Sequence, residues 1–124
     1  MTKPRSLVLY VLLVIVVGAA GCGKKAAPDA TQPLQQSFQT AAPEVQQVIA
    51  QVNTQLKAGQ VAEATRTLAP VVSDRPLTDP QRQAVGVALQ QINKAVAANP
   101  QLDTKEMYEL RASMFKAVHS GPRF

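Results

Sequence analysis

Cys22 is the only cysteine and His119 the only histidine in this chain. A lone thiol forms no intramolecular disulfide, so Cys22 is a candidate for covalent modification rather than cross-linking. A catalytic histidine needs a nucleophile within reach and a third group to orient it, and nothing in the pattern around His119 supplies them. Its place at the end of a helix-periodic segment suits an imidazolium facing a helix C-terminus. Glu106 and Glu109 stand one helical turn apart, but the chain offers them neither the thiolate and imidazole set of a zinc site nor the ligand number of a calcium loop. Capping and solvation are their expected roles. There is no glycine-rich phosphate loop, and the isolated Gly86 is read as permitting close contact between helices. The expectation is a protein that is not an enzyme and holds no metal or cofactor.

Charge points the same way. Thirteen Lys and Arg against eight Asp and Glu give a net +5. Four of the thirteen, Lys3, Arg5, Lys24 and Lys25, lie within the first 25 residues, leaving about +1 for the rest. A nucleic-acid binder would cluster its cations on the folded face, so no nucleic-acid partner is expected. With 4% aromatic residues and no tryptophan, the core must be aliphatic.

What positions Cys22 is the segment before it. Lys3 and Arg5 precede the apolar run Leu7 to Val17, and Gly18, Ala19, Ala20 and Gly21 follow. A positive start, a short apolar run and a small-residue zone make an export signal. The 15 residues from Leu7 to Gly21 fall short of the ~20 needed to span a bilayer as an uncleaved anchor. Together these residues resemble a bacterial lipoprotein precursor, with Ala19-Ala20-Gly21-Cys22 as the lipobox and Ala19 in place of the usual leucine. The resemblance implies cleavage between Gly21 and Cys22, a thioether-linked diacylglycerol on Cys22, and a further acyl chain on the new amino terminus. Two or more chains give stable anchoring where one gives marginal binding. Gly23, where an inner-membrane retention aspartate would stand, leans the expectation towards the outer membrane. The implied location is the cell or outer membrane, with the body facing the periplasm or cell exterior.

Residues 23–39 are rich in Gln, Ala and Pro, with only Leu34 and Phe38 bulky and apolar. Such a composition buries too little surface to offset its ordering entropy, so residues 22–42 are expected to be a lipidated cysteine and flexible tether. Lys24 and Lys25 would either touch anionic lipid or simply solubilise it.

From residue 43 the period is helical, and an α-helical domain is expected over 43–121, with 122–124 as a tail. The apolar stripe Val45, Val48, Ile49, Val52 and Leu56 follows Pro43 and stops at Gly59. A second stripe runs through Val61, Ala64, Leu68, Val71 and Val72, with Pro70 predicting a break or bend near 66–70. Thr78-Asp79-Pro80-Gln81 is a capping box opening a third helix with the stripe Val85, Ala88, Leu89, Ile92 and Val96. Asp103-Thr104-Lys105-Glu106 is read as a second box, opening a helix with Met107, Leu110, Met114, Ala117 and Val118 on its core side. The predicted fold is all-α: a small bundle of about four helices, arranged as two hairpins. The turn Leu56 to Ala64 resembles the middle of a tetratricopeptide-type repeat, though the aromatic positions of that family are missing.

In the last helix Tyr108, Ala112, Phe115 and His119 form an apolar arc about 130° from the core stripe at 100° per residue. Either the helix sits between two neighbours and buries them, or Tyr108 and Phe115 are a candidate partner patch. A small core short of aromatics favours burial. The functional expectation is a lipid-anchored envelope protein whose helical body binds another, unidentified envelope protein or helps organise a complex; the alternatives are a passive spacer and an enzyme accessory.

Overall fold

The structure, a computed structural model, describes residues 28–120. Cys22, Gly21 and the whole leader lie outside the described residues. The described part is all-helical: α1 (Thr31–Ser37), α2 (Pro43–Lys57), α3 (Val61–Ser73), α4 (Asp79–Ala98) and α5 (Lys105–His119), with a 3-10 turn over Pro100–Leu102. Four of these are the expected helices, and α1 is a fifth. Among the described residues, no helix is long and apolar enough to cross a membrane.

The stripes dictate the packing. Val45, Ile49, Val52 and Leu56 of α2 are buried, as are Leu68 and Val72 of α3 and Val85, Leu89, Ile92 and Val96 of α4. From α5 only Met107 and Met114 are fully buried, while Leu110, Ala117 and Val118 are partly so. The helices close into a ring. α2 packs on α3, α3 on α5, α5 on α4, α4 on α1, and α1 back on α2. The α2–α3 and α4–α5 pairs are thus joined on one side by α3 and α5, and on the other by α1.

That role corrects the tether reading for residues 30–38. Ala30 and Leu34 are fully buried and Phe38 is 2% exposed, at i, i+4 and i+8 on one helical face. Seven residues are too few for a helix to stand alone, since nucleation is costly and few bonds follow it. Tertiary ties make up the difference. The Ala30 amide donates to Gln91 Oε1 of α4 at 3.0 Å, and Asn53 Nδ2 of α2 donates to the Thr31 carbonyl at 2.9 Å. At the other end, Gln81 Nε2 donates to the Ser37 carbonyl at 3.3 Å. Before the helix, the Asp29 carboxylate accepts from the Thr31 amide at 3.0 Å and the Thr31 hydroxyl at 2.7 Å. The amide bond comes first, then the hydroxyl bond, in holding the Asp29 carboxyl below its ordinary pKa.

The helix ends follow their sequence signals, with one shift. After α2, Gly59 takes φ 75°, and the amides of Gly59 and Gln60 donate to the carbonyls of Leu56 and Gln55, closing a Schellman motif. The box at Thr78 and Gln81 is reciprocal, with bonds of 3.0 and 3.3 Å. Before α5, however, the cap is Thr104, whose hydroxyl accepts from the Met107 amide at 3.2 Å. Methionine at the third position cannot reach back, so no box forms there and Asp103 binds Arg111 instead.

α3 runs through Pro70 as one continuous helix, so of the expected break or bend the break does not occur. Pro70 lies on the solvent side, so the Arg66 carbonyl it deprives of a partner can be hydrated. Leu68, Ala69 and Val72, buried to either side, hold the last turn against the core. Gly86 also differs from expectation. A Cβ there would lie 3.9 Å from Val118 Cγ1, an ordinary contact, so no close helix approach requires a glycine.

Candidate functional site

The outer face of α5 is built by helical spacing alone. Tyr108 and Phe115, seven residues apart, fall on one side of the helix, and Met107 and Met114, one position earlier, lie about 100° round it. Burying the two methionines between α3 and α4 therefore turns the two aromatics outward. Tyr108 is 65% exposed and Phe115 55%, the only large hydrophobics so exposed among the described residues. The expected internal packing of this pair does not occur. The core has its aromatic elsewhere, in Phe38, which the composition of its surroundings hid.

Tyr108 and Phe115 border a groove of about 530 Å³ between α4 and α5, floored by Leu89 and edged by Asn93, Arg111 and Lys116. Arg111 is fixed within it. Its Nη1 donates to Asn93 Oδ1 at 3.0 Å, its Nη2 to Asp103 Oδ1 at 3.1 Å, and its Nε to the Met107 carbonyl at 3.3 Å. The guanidinium thus joins the start of α5 to the middle of α4 with its side chain 19% exposed. The lining holds two cations and no carboxylate. Nothing in the sequence singled out Arg111. The eight-residue gap to Asp103 crosses a helix start and matches no helical ion-pair spacing, and only the fold brings Asn93 to the same place.

His119 lies beside this site, not in a catalytic arrangement. Its ring stacks on Phe115 with centroids 4.0 Å apart and an interplanar angle of 28°, and its Nδ1 is 2.9 Å from the Phe115 carbonyl oxygen. The imidazole stiffens the Phe115 side chain and meets a last-turn carbonyl, the use its position favoured. Glu106 turns to α3, where it accepts from Arg66 Nε, while Arg66 Nη1 reaches Glu63 at 2.7 Å. The bond to Glu106 is the foremost cause raising the Arg66 pKa above its usual value. Glu109 lies 3.9 Å from Lys105 on the solvent side. Among the described residues, no three His, Cys, Asp or Glu side chains gather where a metal ion could sit.

A second depression, of about 380 Å³, separates α1 from α2 and is lined by Gln35, Gln39, Asn53 and Lys57 over Phe38 and Ile49. Asn53 Oδ1 is buried without a partner there, but it is enclosed too tightly for a ligand atom to reach. Its partnered amide already ties down α1, so this depression is a seam between helices.

No protein-family model, curated protein or solved structure matches this chain.

Proposed function

We propose that this protein is a lipid-anchored component of the bacterial cell envelope whose helical body binds another protein through the outer face of α5. The anchor rests on the lipoprotein-like segment ending at Gly21 and Cys22. The binding role rests on one observation above all: Tyr108 and Phe115, 65% and 55% exposed, stand over the same groove. Large aromatics left in water are costly for a body with so few of them. They are also the side chains that most often anchor protein interfaces. The likeness of the Leu56–Ala64 turn to tetratricopeptide-type hairpins favours the same class of role.

Burial of Ala30 sharpens the geometry of anchoring. Only residues 23–29 separate Cys22 from the body, a reach of about 25 Å when extended. The body therefore works close to the lipid surface, not on a long leash. Its α5 face is separated from α1 by α4, so the groove opens on a different side from the anchored end.

The test is crosslinking in membranes followed by affinity capture of the native protein and of a Tyr108→Ala, Phe115→Ala variant. A discrete partner held by the native protein and lost by the variant, with helicity unchanged, is the expected result. An unchanged set of crosslinked proteins in a folded variant would leave the body a passive spacer.

A further inference from the structure

The groove between α4 and α5 has a sign as well as a shape. Its apolar part is Leu89 with the rings of Tyr108 and Phe115, and its free charge is Lys116, since the Arg111 guanidinium is already paired with Asp103. Arg111, held by Asp103 and Asn93, forms a fixed wall of the groove. Among the described residues, Lys116 makes no ion pair. From this we infer that the groove takes an acidic amphipathic segment of a partner protein, with a bulky apolar side chain between Tyr108 and Phe115 and a carboxylate on Lys116. This rests on the binding role proposed above and gives it a partner chemistry.

Two other occupants fit worse. A second copy of the chain docked parallel on α5 would set Lys116 against Lys116, and like charges across an interface oppose it. An antiparallel copy is an outcome of the sedimentation test below. An anionic bilayer would meet the whole outer face and not the groove alone. That face includes Glu109, 65% exposed beside Lys105. A segment lying in the groove avoids this carboxylate; a flat anionic surface does not.

The experiment uses the purified full-length protein and three fluorescein-labelled 16-residue peptides. They share one Leu and Phe stripe at helical spacing and carry only Glu, only Gln or only Lys at the other positions. Anisotropy titrations should give the Glu peptide about threefold tighter binding than the Gln peptide, the scale of one exposed ion pair, and the Lys peptide should bind weakest. The preference for Glu over Gln should shrink with added salt. Tyr108→Ser with Phe115→Ser should abolish binding of all three. Lys116→Glu should bring the Glu and Lys peptides close together or reverse their order. These residues are exposed, and an unchanged thermal melt of each variant keeps the test about binding.

Equal affinity for the three peptides would overturn the inference, as would binding that survives the double substitution. So would displacement of the Glu peptide by phosphatidylglycerol vesicles, or sedimentation as a dimer that Phe115→Ser dissociates. If the peptides bind alike while the crosslinked membrane partner is still lost on the double substitution, the acidic segment fails and the binding role stands. If neither responds to the substitution, both fail.

Discussion

Phe38→Ala separates a clamped first helix from a loose tether more sharply than any other single change. The ring is 2% exposed, among Leu34 of its own helix and the core faces of α2 and α4. Truncating a buried phenylalanine costs roughly 3–5 kcal/mol, part from lost transfer energy and part from the cavity left behind. Phe38 also borders the depression between α1 and α2, where the site can partly collapse, so about 3 kcal/mol is expected. A body of this size is stable by only roughly 5–14 kcal/mol, so the loss is a large share of the total. At about 4–8 °C per kcal/mol, the melting temperature should fall by about 12–24 °C. Urea titration followed by circular dichroism at 222 nm measures the first quantity, and a thermal melt the second. A cooperative transition with a lower midpoint and an unchanged slope is the expected form. A shift below about 0.5 kcal/mol, the size of an ordinary surface change, would refute the clamp and restore residues 30–38 to the tether.

Other consequences are smaller. Gly86→Ala should stabilise the body by about 0.5–1 kcal/mol, since the added Cβ meets Val118 only at 3.9 Å, whereas Gly59→Ala, at φ 75°, should cost about 1–2 kcal/mol. Thermal melts of the two variants should move in opposite directions. Thr104→Ala should cost roughly 0.5–2 kcal/mol as a lost cap. Asp103→Ala should leave the cap intact but free Arg111, so amide shifts at Asn93 separate the two in NMR spectra. The lowered pKa of Asp29 fixes a sign for pH. Its contribution is complete above the ordinary carboxylate value near 3.8 and is lost as pH falls further through the folded value. Asp29→Asn should therefore flatten the stability profile below about pH 4 and nowhere else.

The four long helices were legible because each carries a stripe of ten or more residues and a recognisable start. Pro43, the Thr78–Gln81 box and Gly59 mark ends that the backbone uses as the residues dictate. α1 was hidden for a physical reason. Its apolar residues Ala30, Leu34 and Phe38 lie one to a turn in a segment otherwise made of Gln, Thr, Ser and Pro. What orders it is supplied from far along the chain, by Asn53, Gln81 and Gln91. Tyr108 and Phe115 face outward because Met107 and Met114, next to them in sequence, take the core side of α5. The Arg111 bonds in the groove were illegible because they join a loop, α4 and α5, and no local spacing encodes that meeting. The expectation for Cys22 rests wholly on the twenty-one residues before it, which lie outside the described residues.

The intact mass of the protein extracted from membranes, with sequencing of its N-terminal peptide, bears most directly on lipid anchoring at Cys22. The N-terminal peptide should begin at Cys22 and carry a thioether-linked diacylglycerol, with a further acyl chain on its amino group. A peptide beginning at Met1, or a mature chain with a free Cys22 thiol, would contradict it.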